Sequence, residues 1–419
     1  MPDSSIVLSK RDKSYFKPTQ VVVFFLIFLI VSVGGIFSYN SILQWYIKQE
    51  VPIKLVKAEV VEKDLVETPV ISPVITKPRD VFIGLGAFSS TDFVNTSKSS
   101  VNLFTGTTVL EENQNNLRLR PWAVMIKNKP EDRPQLAISE ADIVYEAVDE
   151  LGVTSLLGIF YENRPVEIGP IADIKYYFAS FALEYSPFLI FNSGPESSID
   201  KPNLVNPEVD VYKYIGSYGL YSISKDKNGD SIFSSVVNGN STQSLLDIGK
   251  LYNYLGKIYG SYLWVDSGNY ISFLFKDDLQ SRSNNLKEFS FNFWDLTDYE
   301  VKWVYNVGQN NYLRFQGGVA FTDKKSGAQV KSKNIVLAFV KESQVSDAFS
   351  HLKYELVGKG DAYFYIDGDI IEGNWQKISE SSKTKFYNNS GEEIRFNKGN
   401  IWVEILPVKS KLRVINIKN

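Results

Sequence analysis

Seventeen consecutive residues near the start of the chain, Val21 to Phe37 (VVVFFLIFLIVSVGGIF), carry no charge. At about 1.5 Å per residue a helix of this length covers roughly 26 Å, close to the ~30 Å hydrocarbon core of a bilayer. The uncharged stretch extends from Pro18 to Ile47, and Tyr39, Trp45 and Tyr46 suit a water–lipid interface. No Ala precedes Ala58 and the chain has no Cys, so neither an A-x-A cleavage site nor a lipid-modified cysteine is available. The run therefore reads as a single transmembrane helix, residues 21–38. Lys10, Arg11, Lys13 and Lys17 lie on its N-terminal side. By the positive-inside rule residues 1–20 form a cytoplasmic tail and the bulk of the chain is extracytoplasmic, at the cell membrane.

Composition removes several chemistries. With no cysteine and one histidine among 419 residues, disulfides, thiolate metal sites and His-rich zinc sites are excluded, and no metal or cofactor is expected. A formal net charge of −3 gives no basic footprint for nucleic acid. Aromatic residues at 14% and charged residues at 22% describe a folded, β-rich chain.

Downstream, residues 39–117 read as a stalk or linker, with Pro52, Pro69, Pro73 and Pro78 favouring extended backbone. Compact structure is expected from about Leu119. WAVMI at Trp122–Ile126 has strand length, and Glu150-Leu151-Gly152 reads as the turn of a hairpin joining 142–148 to 153–161. A helix follows Gly169-Pro170, with Phe178, Phe181, Ala182 and Tyr185 at helical spacing, and Phe188–Phe191 is a buried strand. A second amphipathic helix is expected from about Thr242 to Tyr259. After Lys287 the pattern becomes a β-meander: Phe289, Phe291 and Phe293 alternate, and Asp367-Gly368 and Ser390-Gly391 supply tight turns. The fold class is α+β: a layered sheet-and-helix first domain (118–285) followed by a mostly-β second domain (286–410), behind the transmembrane helix.

The ordered motifs resemble a known family. Arg120-Pro121, Ala123–Ile126, Asn128, Arg133-Pro134-Gln135 and Ala141–Glu146 are similar to the opening of the YerB-like family, with Asn102–Gly106 similar to its lead-in. Gly169-Pro170-Ile171 and Ser193-Gly194-Pro195 continue the likeness. So do Tyr312, Arg314, Gly317, Asp323, Gly327, Asn334–Val336, Gly373–Lys377 and Gly399–Trp402 in the second half. The resemblance implies a bacterial envelope protein, commonly a lipoprotein, with a two-part domain and no established activity. This chain departs from the family at Lys127-Asn128-Lys129, Ala172, Lys175 and Thr322, where relatives carry further histidine, aspartate or arginine. Fewer histidines mean fewer acid–base groups.

The densest acidic group is Asp142, Glu146, Asp149 and Glu150. On a strand Asp142 and Glu146 share a face, which either serves glycosidase-type chemistry in a cleft or forms a solvated hairpin edge near Arg133 or Lys175. Gly169 and Lys175 stand at a helix start suited to an anion, and Asn192 and Ser193 follow a buried strand. His351 falls in Ser346–Leu356, expected to be a helical surface stretch. The expected lining of a polar binding cleft is thus Asn128, Arg133, Asp142, Glu146, Gly169, Lys175, Asn192 and Ser193, with Arg314 and Asp323 from the second domain. No residue is assigned a catalytic role in this reading. The primary expectation is a binding or scaffolding protein whose partners are penicillin-binding proteins or peptidoglycan. The alternative is an envelope glycan hydrolase using Asp142 and Glu146.

Overall fold

The computed structural model describes residues 100–418 except 202, 239–240, 261, 265–269 and 280–284. The expected cytoplasmic tail, transmembrane helix and most of the stalk lie outside the described residues.

The first half supplies β1 (Trp122–Lys127), β2 (Ile143–Glu150), β3 (Val153–Phe160), β4 (Glu167–Ile168), β5 (Phe188–Phe191), β6 (Tyr221–Ser224), β7 (Phe233–Asn238) and β8 (Ser241–Asp247). After β9 (Leu274–Lys276) strands follow closely: β10 (Leu286–Phe291), β11 (Val301–Asn306), β12 (Asn311–Gln316), β13 (Val319–Ala320), β14 (Lys331–Ser332) and β15 (Asn334–Gln344). The last group is β16 (Leu352–Glu355), β17 (Gly358–Ile366), β18 (Asp369–Lys377), β19 (Lys385–Asn388), β20 (Arg395–Asn397), β21 (Ile401–Pro407) and β22 (Ile415–Lys418). The chain is α+β and mostly sheet.

One mixed sheet runs in the order β19-β18-β17-β15-β21-β2-β3-β1-β5-β6, with β16 paired to β15. Its centre is made by β21, which lies parallel to both β15 and β2, with Ile401 opposite Asn334 on one side and Ile143 on the other. The two halves read from the sequence therefore share a sheet across the 285/286 boundary. These central strands are nearly unbroken apolar runs, as strands covered on both faces must be. Among the described residues a second sheet, β13-β12-β11-β10-β22 with β14 on β12, comes from the second half and the C-terminus.

Side-chain alternation along β2 assigns its two faces. Tyr145 stacks on Phe181 of the helix Tyr176–Leu183, ring centroids 4.9 Å apart and 5° from parallel. Glu146 points the other way and bonds Arg314 of β12. A helix thus covers one face and the second sheet the other; Phe289 on Tyr365 adds an aromatic stack across the sheets, 3.5 Å between centroids.

The hairpin at 150–152 forms as expected, with Leu151 and Gly152 at φ 51° and 86°. Asp367-Gly368, φ 57° and 78°, joins β17 to β18. At Gly360 the need is close approach: a Cβ there meets the Phe339 carbonyl oxygen at 2.6 Å.

Three expectations are corrected. Residues 100–117 pack into the fold instead of ending a linker: Phe104 is fully buried among Tyr161, Tyr185, Trp264 and Tyr270. The helix expected from Thr242 is the strand β8 until Asp247, whose carboxylate accepts from the Lys250 N–H and caps a helix covering only Ile248–Ile258. His351 is buried, its Nδ1 2.8 Å from Asp347 Oδ2, and it precedes a strand; a burial pattern set by sheet pairing overrides the polar local sequence.

Candidate functional site

Where β2, β21 and β12 face one another, buried charged side chains are in direct contact. Register places Glu146 beside Glu404 on neighbouring parallel strands, and same-face neighbours in adjacent strands lie within reach of one partner. That partner is Arg314, delivered by the covering sheet. Its guanidinium bonds Glu146 Oε2 and, at 2.7 Å, Glu404 Oε1. All three side chains are fully buried. The Arg314 guanidinium also lies over the rings of Trp303 and Trp402, 5.1 and 4.4 Å from their centroids, which compensates part of its lost hydration.

The two carboxylates are served unequally. Glu146 accepts from Arg314, from Thr154 Oγ1 at 2.6 Å, and from Asn128 Nδ2 and Gln316 Nε2 at 3.0 Å each. Glu404 accepts from Arg314 and from Trp303 Nε1 at 3.2 Å, and its Oε2 has no hydrogen-bond partner. Burial, with the neighbouring Glu146 charge and against the pull of Arg314, raises the Glu404 carboxyl to about 8. One guanidinium thus faces a carboxylate that accepts from four side chains and a carboxyl that accepts from two and is biased by burial toward its protonated form.

Asn128 connects this centre to the surface. Its amide oxygen accepts from Gln135 Nε2 at 2.9 Å and from Arg133 Nε at 3.2 Å. Arg133 Nη1 donates to the Asp298 carbonyl at 3.0 Å, and its guanidinium lies 5.1 Å from the Tyr299 ring centroid. Beside Arg133 a cleft of about 350 Å³ opens, walled by Pro130, Asp298, Gln316, Ala320 and Thr322. Its floor leads through Arg133 and Gln316 to the buried centre.

Of the residues read from sequence, Asn128, Arg133, Glu146 and Arg314 come together here. The others are placed elsewhere. Asp142, just before β2, accepts from the Tyr161 N–H and from Asn102 Nδ2, both at 2.6 Å, and burial raises its carboxyl to about 6. Neither Asp142 nor Glu146 lies on a solvated edge, because β2 is flanked by β21 and β3. Asp323 Oδ2 accepts from the N–H and hydroxyl of Ser139, 2.9 Å each, and so ties a turn of the second half to the first. The Gly169 N–H and carbonyl pair with Leu136. Lys175 is held by Glu150 and, at 3.4 Å, by Asp149, which occupies the cation expected to receive an anion. Asn192 and Ser193 both donate to Asp173 Oδ1, at 2.7 and 2.6 Å.

Sequence reading missed Thr154, Gln135, Gln316, Trp303 and Glu404. For Glu404 the signal was there: a lone carboxylate inside IWVEILP is a buried charge in need of a partner. Among the neutral residues Gln135 lay in the Arg133-Pro134-Gln135 motif, and nothing local marks Thr154, Gln316 or Trp303. Among the described residues no group of three His, Asp or Glu side chains is arranged for a metal ion.

Two models of one family match the chain: "Protein of unknown function (DUF3048) N-terminal domain" over residues 104–232 and "C-terminal domain" over 290–403. The chain belongs to this two-part family. It is similar to a Bacillus subtilis (strain 168) protein named "Putative lipoprotein YerB", 24% identical over 304 residues, covering 72% of this chain and 85% of that protein. The crystal structure of YerB protein from Bacillus subtilis superimposes with a TM-score of 0.64 at 20% identity, covering 76% of this chain and 100% of that one. The likeness extends the fold to this DUF3048 member.

Proposed function

We propose that this chain is a membrane-held, extracytoplasmic binding protein of the cell envelope that performs no proton-transfer chemistry at Asp142 or Glu146. One observation carries the reading: both carboxylates are buried and engaged by protein donors, while the adjoining cleft presents one guanidinium and amide groups. Such a surface orients a polar ligand by hydrogen bonding; a glycosidase needs two carboxyl groups flanking a bound sugar.

The uncharged run at 21–37 supports a single-pass anchor. A lipid-linked relative would reach the same side of the membrane by another route. The partner class is peptidoglycan or a penicillin-binding protein, with Arg133, Gln316 and the 317–322 wall as the contact.

The test uses the full chain in lipid nanodiscs. Ala320→Trp fills the cleft from an exposed position, and Leu412→Trp, on a 94%-exposed residue, is the control. Co-sedimentation with purified sacculi, lost in Ala320→Trp and kept in Leu412→Trp, supports the glycan arm. The same pattern on an immobilised penicillin-binding protein supports the protein arm. Retention by neither, from folded protein, overturns the reading.

A further inference from the structure

Away from the Arg133 cleft, the loop between β18 and β19 forms one wall of a second cavity. It measures about 390 Å³, inside the range of small-molecule sites. Trp264, Tyr270, Ile271, Tyr387 and Ile378 give it ring faces and apolar surface. Ile271 and Ile378 are 60% and 88% exposed, a cost in water that an apolar occupant offsets.

The charges at this cavity are unequal in their partners. Glu184 is spent: it accepts from Lys377 Nζ and Thr384 Oγ1, 2.7 Å each, and from the Thr384 N–H at 3.0 Å. Lys385 pairs with Glu393 at 3.1 Å. Lys383 differs. Its amine sits 3.6 Å from the Phe273 ring centroid, 4.3 Å from Tyr270 and 5.6 Å from Tyr185, and it bonds the Tyr270 hydroxyl. Among the described residues no carboxylate forms an ion pair with it. An amine held by rings, with no ion-paired carboxylate among the described residues, suits an anion, and the adjacent apolar wall selects what else that anion carries.

We infer that this cavity binds a small ring-bearing carboxylate, its ring against Trp264 and Tyr270 and its carboxylate on Lys383. Two sources share that chemistry, a sugar acid and an aromatic acid. The site is independent of the Arg133 cleft and of the reading given to it. Burial also lowers the Lys383 amine to about 7, against the pull of Glu184 and Glu393 and with the help of Lys385. An arriving carboxylate favours the ammonium form, so affinity falls as pH rises from about 6.5 to about 8.5.

The experiment is calorimetric titration of the full chain in lipid nanodiscs, with empty discs as blank, using N-acetylmuramic acid and indole-3-acetic acid as separate probes. Lys383→Met keeps the stem and removes the charge; Lys383→Arg keeps the charge. Circular dichroism confirms the fold of each. Binding of either acid that weakens about ten- to hundredfold in Lys383→Met, is retained in Lys383→Arg and declines with rising pH supports the site, and the acid that binds names the source. Limited acetylation mapped by mass spectrometry then shows Lys383 protected by that acid. Absence of binding to folded wild type, or binding unchanged in Lys383→Met, overturns the proposal.

Discussion

Two charged regions of this molecule solve the problem of burial in opposite ways. Between the sheets, Arg314 is enclosed by two glutamates and two indoles, and Glu146 accepts further bonds from Asn128 and Thr154. At the β18–β19 loop, the amine of half-buried Lys383 lies against three rings. The first arrangement pairs its charges internally and joins strands from both halves of the sequence. In the second, no carboxylate among the described residues forms an ion pair with the amine. Burial of an ionisable group is therefore a poor guide to function by itself; what distinguishes the regions is whether the protein supplies the counter-charge.

The largest expected effect follows from the closed region. Arg314→Met leaves two buried glutamates without their cation and should destabilise the fold by about 3–5 kcal/mol, read by chemical denaturation. The triple change Glu146→Leu, Arg314→Met, Glu404→Leu should cost less than Arg314→Met alone, because no buried charge remains. A triple variant that is worse than the single one would show that the centre is more than an internal ion cluster.

Next in size is the difference between the glutamates. Glu146→Gln turns an acceptor of four donors into a group that must donate, and should cost about 1–3 kcal/mol at pH 7. Burial biases Glu404 toward its protonated form, so Glu404→Gln should cost less, under about 1 kcal/mol. Equal costs would break the assigned asymmetry.

The pH dependence sharpens it further. Asp142 and Glu404 are raised in the folded state to about 6 and about 8, so the native protein binds more protons than the unfolded chain. Their stabilising contribution is complete below about pH 4 and is lost as pH rises through those values. Wild type should lose stability from about pH 4 to about pH 8, and Glu404→Gln should flatten the upper part of that fall. Lys383 has the opposite sign: its amine is lowered to about 7, so its contribution grows more favourable from about pH 7 toward about 10.5. Because Lys383 is only half-buried, Lys383→Met should change stability least, a gain on the order of 1 kcal/mol below pH 7.

Much of the fold was legible because its signals are local. The WAVMI strand, the hairpin turned by Leu151-Gly152, Phe188–Phe191 and the alternating Phe289, Phe291 and Phe293 each declare themselves within a few residues. The insertion of β21 between β15 and β2 does not, since nothing in Ile401–Pro407 specifies partners more than sixty residues away on one side and 250 on the other. The site shows the same division. Asn128, Arg133, Glu146 and Arg314 stood out as polar residues in apolar or motif-bearing segments, and the structure gathers them. Asn192, Ser193 and Lys175 stood out equally but are satisfied by Asp173 and Glu150, carboxylates that the fold, not sequence proximity, brings to them. The Lys383 cavity was not visible at all, because the rings around its amine come from Tyr185 and from the stretch holding Tyr270 and Phe273, which only the fold brings to Lys383.

The most direct test of the central claim is Glu146→Gln beside wild type, each measured for thermal unfolding and for release of reducing ends from purified sacculi. The expected result is a lower melting temperature for the variant and no release by either protein. Release by wild type that disappears in a variant of unchanged stability would contradict it, and would make Glu146 a catalytic carboxylate.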